Sequence, residues 1–216
     1  MIEPMTPTVS MPLLNEPAPA FKAVTTHGEL SLDDYKGKWL VLFSHPADFT
    51  PVCTTEFIAF AKASQDFKAV NCDLLGLSID GVHAHIAWCR SIKENFNVEI
   101  TFPIIADLNM AVARAYGMVQ PGVSDTSAVR ATFVIDPDGI LRAMLYFPMS
   151  NGRCVEEILR LVKALQTTDS NQCATPESWQ PGEEVIVPPP ATVQAADTRK
   201  TEGYNYVDWY FSKRKL

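Results

Sequence analysis

One short stretch concentrates side chains able to do chemistry: His45-Pro46-Ala47-Asp48-Phe49-Thr50-Pro51-Val52-Cys53-Thr54-Thr55-Glu56-Phe57. It follows the apolar run Trp39-Leu40-Val41-Leu42-Phe43, which suits a buried strand, and it opens a pattern of helical period. Pro51 fits the first position of a helix. Cys53 then falls in the first turn, where backbone N–H groups lack partners and the helix dipole favours negative charge. A thiolate is such a charge, and the thiolate rather than the thiol is the nucleophile. Cys53 is therefore the candidate nucleophile, with Glu56 one helical turn beyond it.

The surrounding elements must hold that cysteine in place. Phe57, Phe60, Ala61, Phe67 and Val70 share a helical face between Thr54 and Val70. Leu74 to Ile79 reads as the next strand, Val82 to Phe96 as a helix ending near Asn97, and Phe102–Ala106 and Thr132–Ile135 as further strands. Asp136-Pro137-Asp138-Gly139 is a turn, since Pro presets φ and Gly accepts φ > 0; it leads into a strand from Ile140 to Tyr146, completing a hairpin. Val155, Ile158, Leu159, Val162 and Leu165 give a final helix. Strand–helix alternation closed by a hairpin and a helix predicts an α/β fold, a mixed central sheet flanked by helices.

Proline marks the boundaries of this domain. Positions 4, 7, 12, 17 and 19 lie in the lead and 176, 181, 188, 189 and 190 near the end, with six more between. The organisation expected is a flexible N-terminal lead over 1–12, the main domain over 13–167 and a C-terminal arm over 168–216. Beyond the stiff Pro188-Pro189-Pro190, the arm carries Tyr204, Tyr206, Trp209, Tyr210 and Phe211. Aromatics so dense are costly to leave in water. They pack either on their own domain or, the preferred reading, on a second copy of the chain.

The 216 residues are 47% hydrophobic and 20% charged, with a net charge of −7. Those values argue against global disorder, and the sign disfavours partners such as nucleic acid or an anionic membrane. No apolar run approaches the ~20 residues of a membrane span, and Met1–Ser10 lacks the basic start and apolar stretch of a secretory signal. The expected setting is cytoplasmic, where thiols stay reduced. The cysteines at 53, 72, 89, 154 and 173 are then a matter of reactivity. None has C-x-x-C spacing, so a zinc ribbon or a thioredoxin-type dithiol is unsupported. Cys72, Cys89 and Cys154 read as small buried hydrophobes, and His83 and His85 as exposed polar residues.

Pro46, Thr50, Cys53 and the string Pro-Val-Cys-Thr-Thr-Glu resemble the active-site signature of the peroxiredoxins. Ala18-Pro19-Ala20-Phe21 is similar to that family's opening segment, and Arg130-Ala131-Thr132-Phe133-Val134-Ile135-Asp136 to the segment with its active-site arginine. Phe43 to Phe49 and the long tail resemble the one-cysteine branch. The resemblance implies a thioredoxin-like fold with a C-terminal dimerisation arm. It implies reduction of hydrogen peroxide and organic hydroperoxides by Cys53, through a sulfenic acid, without metal, flavin or haem. Thr50, the Cys53 backbone N–H and Arg130 are implied as hydrogen-bond donors to the peroxide oxygens. Pro46 is implied as a shield of the oxidised sulfur and Glu56 as the group orienting Arg130. His45 and Arg153 match a histidine and a second arginine of the one-cysteine branch. By residue type alone, Arg130 could instead be a strand-surface residue, and His45 a satisfied structural one.

Cys173 lies in Cys173-Ala174-Thr175-Pro176-Glu177-Ser178-Trp179-Gln180-Pro181-Gly182, which resembles the resolving-cysteine segment of two-cysteine peroxiredoxins. That likeness implies a disulfide between Cys173 of one subunit and Cys53 of its partner, recycled by a thioredoxin-like dithiol. The rival is a spectator Cys173, with Cys53 reduced by a small thiol. Tyr206 and Ser212 stand where archaeal relatives carry resolving cysteines in the tail. His27-Gly28-Glu29-Leu30-Ser31-Leu32 lacks the Gly-x-Ser-x-Gly-like pattern of lipase-active relatives. Asn95 to Ile100 lacks the Gly-Gly-Leu-Gly insertion of peroxide-sensitive ones, so resistance to overoxidation is expected. The family implies a homodimer, and often a ring of five dimers (a homodecamer). Two other classes remain: a peroxide sensor or chaperone using the same cysteine, and a non-catalytic dimeric module.

Overall fold

The computed structural model describes residues 11–124 and 126–216. Of the lead expected over 1–12, residues 1–10 lie outside the described residues. The chain divides into two compact units, one up to Val155 and one from Glu156 to Leu216.

In the first unit the strands are β1 (Lys22–Thr25), β2 (Gly28–Ser31), β3 (Trp39–Ser44), β4 (Cys72–Ser78), β5 (Ile104–Ala106), β6 (Arg130–Ile135) and β7 (Leu141–Phe147). The helices are α1 (Pro51–Ala69), α2 (Val82–Phe96) and the short α3 (Ala111–Ala115). The strands form one mixed sheet in the order β2-β1-β5-β4-β3-β6-β7. β3 runs parallel to β4 and antiparallel to β6, and β4 runs parallel to β5. All six residues of β3 are buried, as a central strand covered on both faces requires.

α1 covers one face of the sheet with Phe57, Phe60 and Phe67, all fully buried. Phe43 of β3 stacks on Phe60 at 3.9 Å between ring centroids and meets Phe57 edge-on at 5.4 Å. Phe57 also lies over Gly76 of β4, where a Cβ would come within 3.2 Å of its ring. The missing side chain thus lets the helix that carries Cys53 sit close to the sheet. α2 buries Trp88 and Ile92 and ends on Asn97 in the left-handed conformation, φ 56°. The hairpin turn forms as its residues dictate, with Gly139 at φ 81° and the Asp136 N–H donating to the Ile140 carbonyl at 2.9 Å. β3 ends at Ser44, so residues 45–50 form the loop between the carboxyl end of a central strand and the mouth of α1.

Helix α4 (Val155–Asn171) runs past the limit expected at 167 and belongs to the second unit from Glu156 onward. The arm has regular structure of its own: β8 (Val185–Val187), α5 (Val193–Thr198), β9 (Asn205–Asp208) and β10 (Phe211–Arg214), with an antiparallel sheet in the order β8-β10-β9. Trp179 and Val185 are buried against Ala164, with Cys173 packed on that cluster. Trp209 and Tyr210 remain exposed.

Candidate active site

Thr50 is the N-cap of α1, with φ −106° and ψ 146°, and Pro51 is its first helical residue. The first intrahelical hydrogen bond runs from the Thr54 N–H to the Thr50 carbonyl, so the Cys53 N–H lies ahead of the helical ladder. Cys53 is fully buried. Its Sγ receives a hydrogen bond from Arg130 Nη1 at 3.2 Å, across 77 residues of sequence. Arg130 opens β6, the strand next to the sheet edge, and the antiparallel β3–β6 pairing brings it level with the start of α1.

Arg130 has few freedoms left. Its Nη1 also donates to Glu56 Oε2 at 2.7 Å, and its Nε and Nη2 both donate to the Met149 carbonyl, at 2.9 and 2.7 Å. Glu56 in turn accepts from the backbone N–H, Nε and Nη2 of Arg153, each at 2.8 Å. Arg153 spends Nη1 on the Ala131 carbonyl at 2.8 Å, and its guanidinium lies 5.5 Å from the centroid of the Phe43 ring. Burial pushes the Glu56 carboxyl up. The hydrogen bonds and charge of Arg153, with the charge of Arg130, outweigh that and hold it below the ordinary carboxylate value. Two guanidinium groups thus face one carboxylate beside the sulfur, all buried.

Thr50 and Pro46 are half-buried in the loop before the helix. The Thr50 hydroxyl donates to the Ala47 carbonyl at 2.8 Å. With its hydrogen so engaged, the hydroxyl keeps only its lone pairs free, whereas the family resemblance implies a donor there. Phe49, between them, is at φ 55°, a strained position for a side chain of that size. His45 is fully buried; its Nε2 lies 2.8 Å from Asp48 Oδ1, and its ring packs edge-on against Phe57 at 4.7 Å. The structure thus brings Cys53, Arg130, Glu56 and Arg153 into direct contact, with Thr50, Pro46 and His45 in the adjoining loop. Cys173 belongs to the second unit, where its Sγ lies 3.9 Å from the Thr167 carbonyl.

Two expectations about side chains need correction. His83 is exposed as expected, but His85 is fully buried, bonded to Asp48 Oδ2 at 2.8 Å and to the Ile105 carbonyl at 3.1 Å. Facing inward from α2, it sits one turn before Trp88 on the same apolar face, and its i,i+3 spacing from Trp88 was the available signal. Among the remaining cysteines only Cys72 is buried; Cys89 is half-buried and Cys154 exposed. Cys154 follows Arg153, whose inward direction turns its neighbour outward. The Met149 carbonyl gave no sign in the sequence, because a backbone acceptor has no residue signature.

A cysteine at the mouth of a helix, hydrogen-bonded to a buried arginine on a mixed α/β sheet, defines the thiol peroxidases of thioredoxin-like fold. The comparisons with known proteins agree. Residues 14–144 match the AhpC/TSA family, and residues 164–203 match the C-terminal domain of 1-Cys peroxiredoxin. The chain is 56% identical to a peroxiredoxin of Aquifex aeolicus (strain VF5), over 96% of this chain and 99% of that one. It is 52% identical to a peroxiredoxin of Methanosarcina mazei, over 95% and 98%. Among solved structures, yeast mitochondrial 1-Cys peroxiredoxin superposes with a TM-score of 0.83 at 40% identity, covering 95% of this chain and all (100%) of that one. A cysteine-to-serine mutant of peroxiredoxin 6 of Arenicola marina gives a TM-score of 0.82 at 34% identity, covering 94% and 97%. The chain belongs to the peroxiredoxins of the AhpC/TSA family and is a peroxidase. Among the described residues, no helix is long and apolar enough to cross a membrane.

Proposed function

We propose that Cys53 is the peroxidatic sulfur for hydrogen peroxide and organic hydroperoxides. The observation that carries this reading is the 3.2 Å contact between Arg130 Nη1 and Cys53 Sγ, with Arg130 held by Glu56. An ionised Cys53 brings the buried cluster of Arg130, Arg153 and Glu56 to zero net charge, whereas a neutral thiol leaves one positive charge uncompensated. The thiolate attacks one peroxide oxygen. An S–O bond forms, the O–O bond breaks, and the leaving oxygen takes up one proton from solvent, replacing the one Cys53 released on ionising, to depart as water or alcohol. Arg130 and the Cys53 N–H stabilise the oxygens, Thr50 accepts the substrate O–H, and Pro46 shields the sulfenic acid. Single-turnover mixing with peroxide tests this. Wild-type protein consumes one peroxide per chain without added reductant, and Cys53→Ser consumes none; undiminished consumption by Cys53→Ser overturns the reading.

For the return step, the Cys173 thiol of one subunit condenses with the Cys53 sulfenic acid of its partner, releasing water and forming a disulfide. A dithiol protein of thioredoxin type then reduces it, in a cytoplasmic setting. This requires at least a homodimer. Support comes from the sequence around Cys173 and from the exposed Trp209 and Tyr210 of the arm. A second reading, direct reduction by a small thiol, is favoured by the match to the 1-Cys C-terminal domain and by the yeast mitochondrial 1-Cys relative, whose thiol-resolving mechanism runs via glutathione/thioredoxin systems.

A further inference from the structure

Three buried side chains next to the Cys53 loop form a continuous chain: His45, Asp48 and His85. His45 Nε2 meets Asp48 Oδ1 at 2.8 Å, and His85 Nδ1 meets Asp48 Oδ2 at 2.8 Å. The other nitrogen of His85, Nε2, meets the Ile105 carbonyl at 3.1 Å. A carbonyl oxygen only accepts, so His85 Nε2 carries a hydrogen. The contact between His85 Nδ1 and Asp48 must also contain a hydrogen, and so must the contact between Asp48 and His45. The chain therefore holds one proton more than two neutral imidazoles and a carboxylate supply. His45 Nδ1 is buried without a hydrogen-bond partner among the described residues, which fits a bare nitrogen better than a stranded donor. Although these three residues could be taken for ligands of a metal, donors 2.8 Å apart and aligned on each other's lone pairs are hydrogen-bonded.

We propose that His85 is a doubly protonated imidazolium whose ion pair with Asp48 fixes His45 as its Nε2–H tautomer and holds the Cys53 loop in shape. Asp48 sits between Pro46 and Thr50, and its backbone N–H is tied to Asp80 Oδ2 at 3.0 Å. The next residue, Phe49, has the strained φ of 55°, a conformation that persists only where its surroundings hold it. His85 thus acts on Thr50 and Pro46 through Asp48, as a positioning residue. The other titratable groups around the chain are Asp80, from the loop after β4, and Cys89, one turn further along α2. This inference rests on the proposed role of Cys53 only in its kinetic half.

The protonation is read directly from histidine ring ¹⁵N shifts of the full-length protein at neutral pH. The expected result is two protonated nitrogens on His85 and a bare Nδ1 on His45; a bare nitrogen on His85, or Nδ1–H on His45, overturns the assignment whatever Cys53 does. The positioning is read from the rate and pH profile of Cys53 oxidation in His85→Asn, whose amide can still donate to Asp48 but carries no charge. The expected result is a rate about tenfold lower, with a pH profile displaced from wild type. A folded His85→Asn with wild-type rate and profile overturns it. If that variant does not fold, His85→Gln, which keeps a donor for the Ile105 carbonyl, is read by the same criteria.

Discussion

Arg153 and Glu56 meet along two parallel hydrogen bonds, Nε to Oε1 and Nη2 to Oε2, both 2.8 Å and both buried. This planar grip fixes the carboxylate, and the carboxylate in turn fixes Arg130 beside the sulfur. Lysine cannot reproduce the two-pronged contact. Arg153→Lys is expected to slow Cys53 oxidation by about ten- to a hundredfold, by analogy with the loss of other supporting contacts. Glu56→Gln removes the carboxylate that both buried guanidinium groups share and is expected to cost ~3–5 kcal/mol of stability, the range for breaking a buried pair. Stopped-flow oxidation and urea unfolding measure the two effects; wild-type values in both would show that the grip is dispensable.

Acid should weaken the fold from one side only. Glu56 and Asp48 are both held below the ordinary carboxylate value; burial pushes Asp48 up, and the hydrogen bonds from His45 and His85 outweigh it. A depressed carboxyl contributes its full stability above its unfolded value, ~4, and loses it as pH falls through the folded one. Unfolding free energy is expected to lose nothing to these two groups between neutral pH and about 5, and to fall steeply below 4. Removing Glu56 should flatten that acid limb. An acid limb of unchanged steepness in Glu56→Gln would contradict the assignment.

The spare thiols should sort by burial. Burial pushes the Cys72 thiol up to about 12 and the Cys89 thiol up to about 11, whereas Cys154 is exposed. Since alkylation needs the thiolate, brief iodoacetamide treatment at pH 7.5 should label Cys154 and leave Cys72 and Cys89 unmodified by mass spectrometry. Early labelling of Cys72 would mean that the strand pairing of β3 with β4 opens readily.

Peroxide-treated protein should run as a covalent dimer on non-reducing gels, and Cys173→Ser should not. A dimer that persists in Cys173→Ser removes Cys173 from the cycle and leaves the small-thiol route.

Much of this arrangement was legible beforehand because it depends on period and motif. β3, α1, α2 and the hairpin follow from apolar spacing and turn residues, Cys53 and Glu56 from one dense stretch, and Arg130 from the family resemblance of a second segment; the three do meet. What escaped was set by tertiary contact. β1, β8, β9 and β10 are three or four residues long, too short for a periodic pattern to register. His85 looked exposed because two histidines two positions apart cannot share a face, and only its i,i+3 spacing from Trp88 says which of them turns inward. The clamp on Arg130 from the Met149 carbonyl depends on where a loop returns, which no residue type encodes.

In the proposed cycle the balance of two guanidinium groups against Glu56 and an ionised sulfur lasts only until the sulfur gains its oxygen. From then on the oxidised pocket is an electrostatic lure, with a net positive interior facing whatever comes next. An approaching thiolate is drawn in and a neutral thiol is not, so the same residues that prepare the sulfur for peroxide would also select the form in which its reductant arrives.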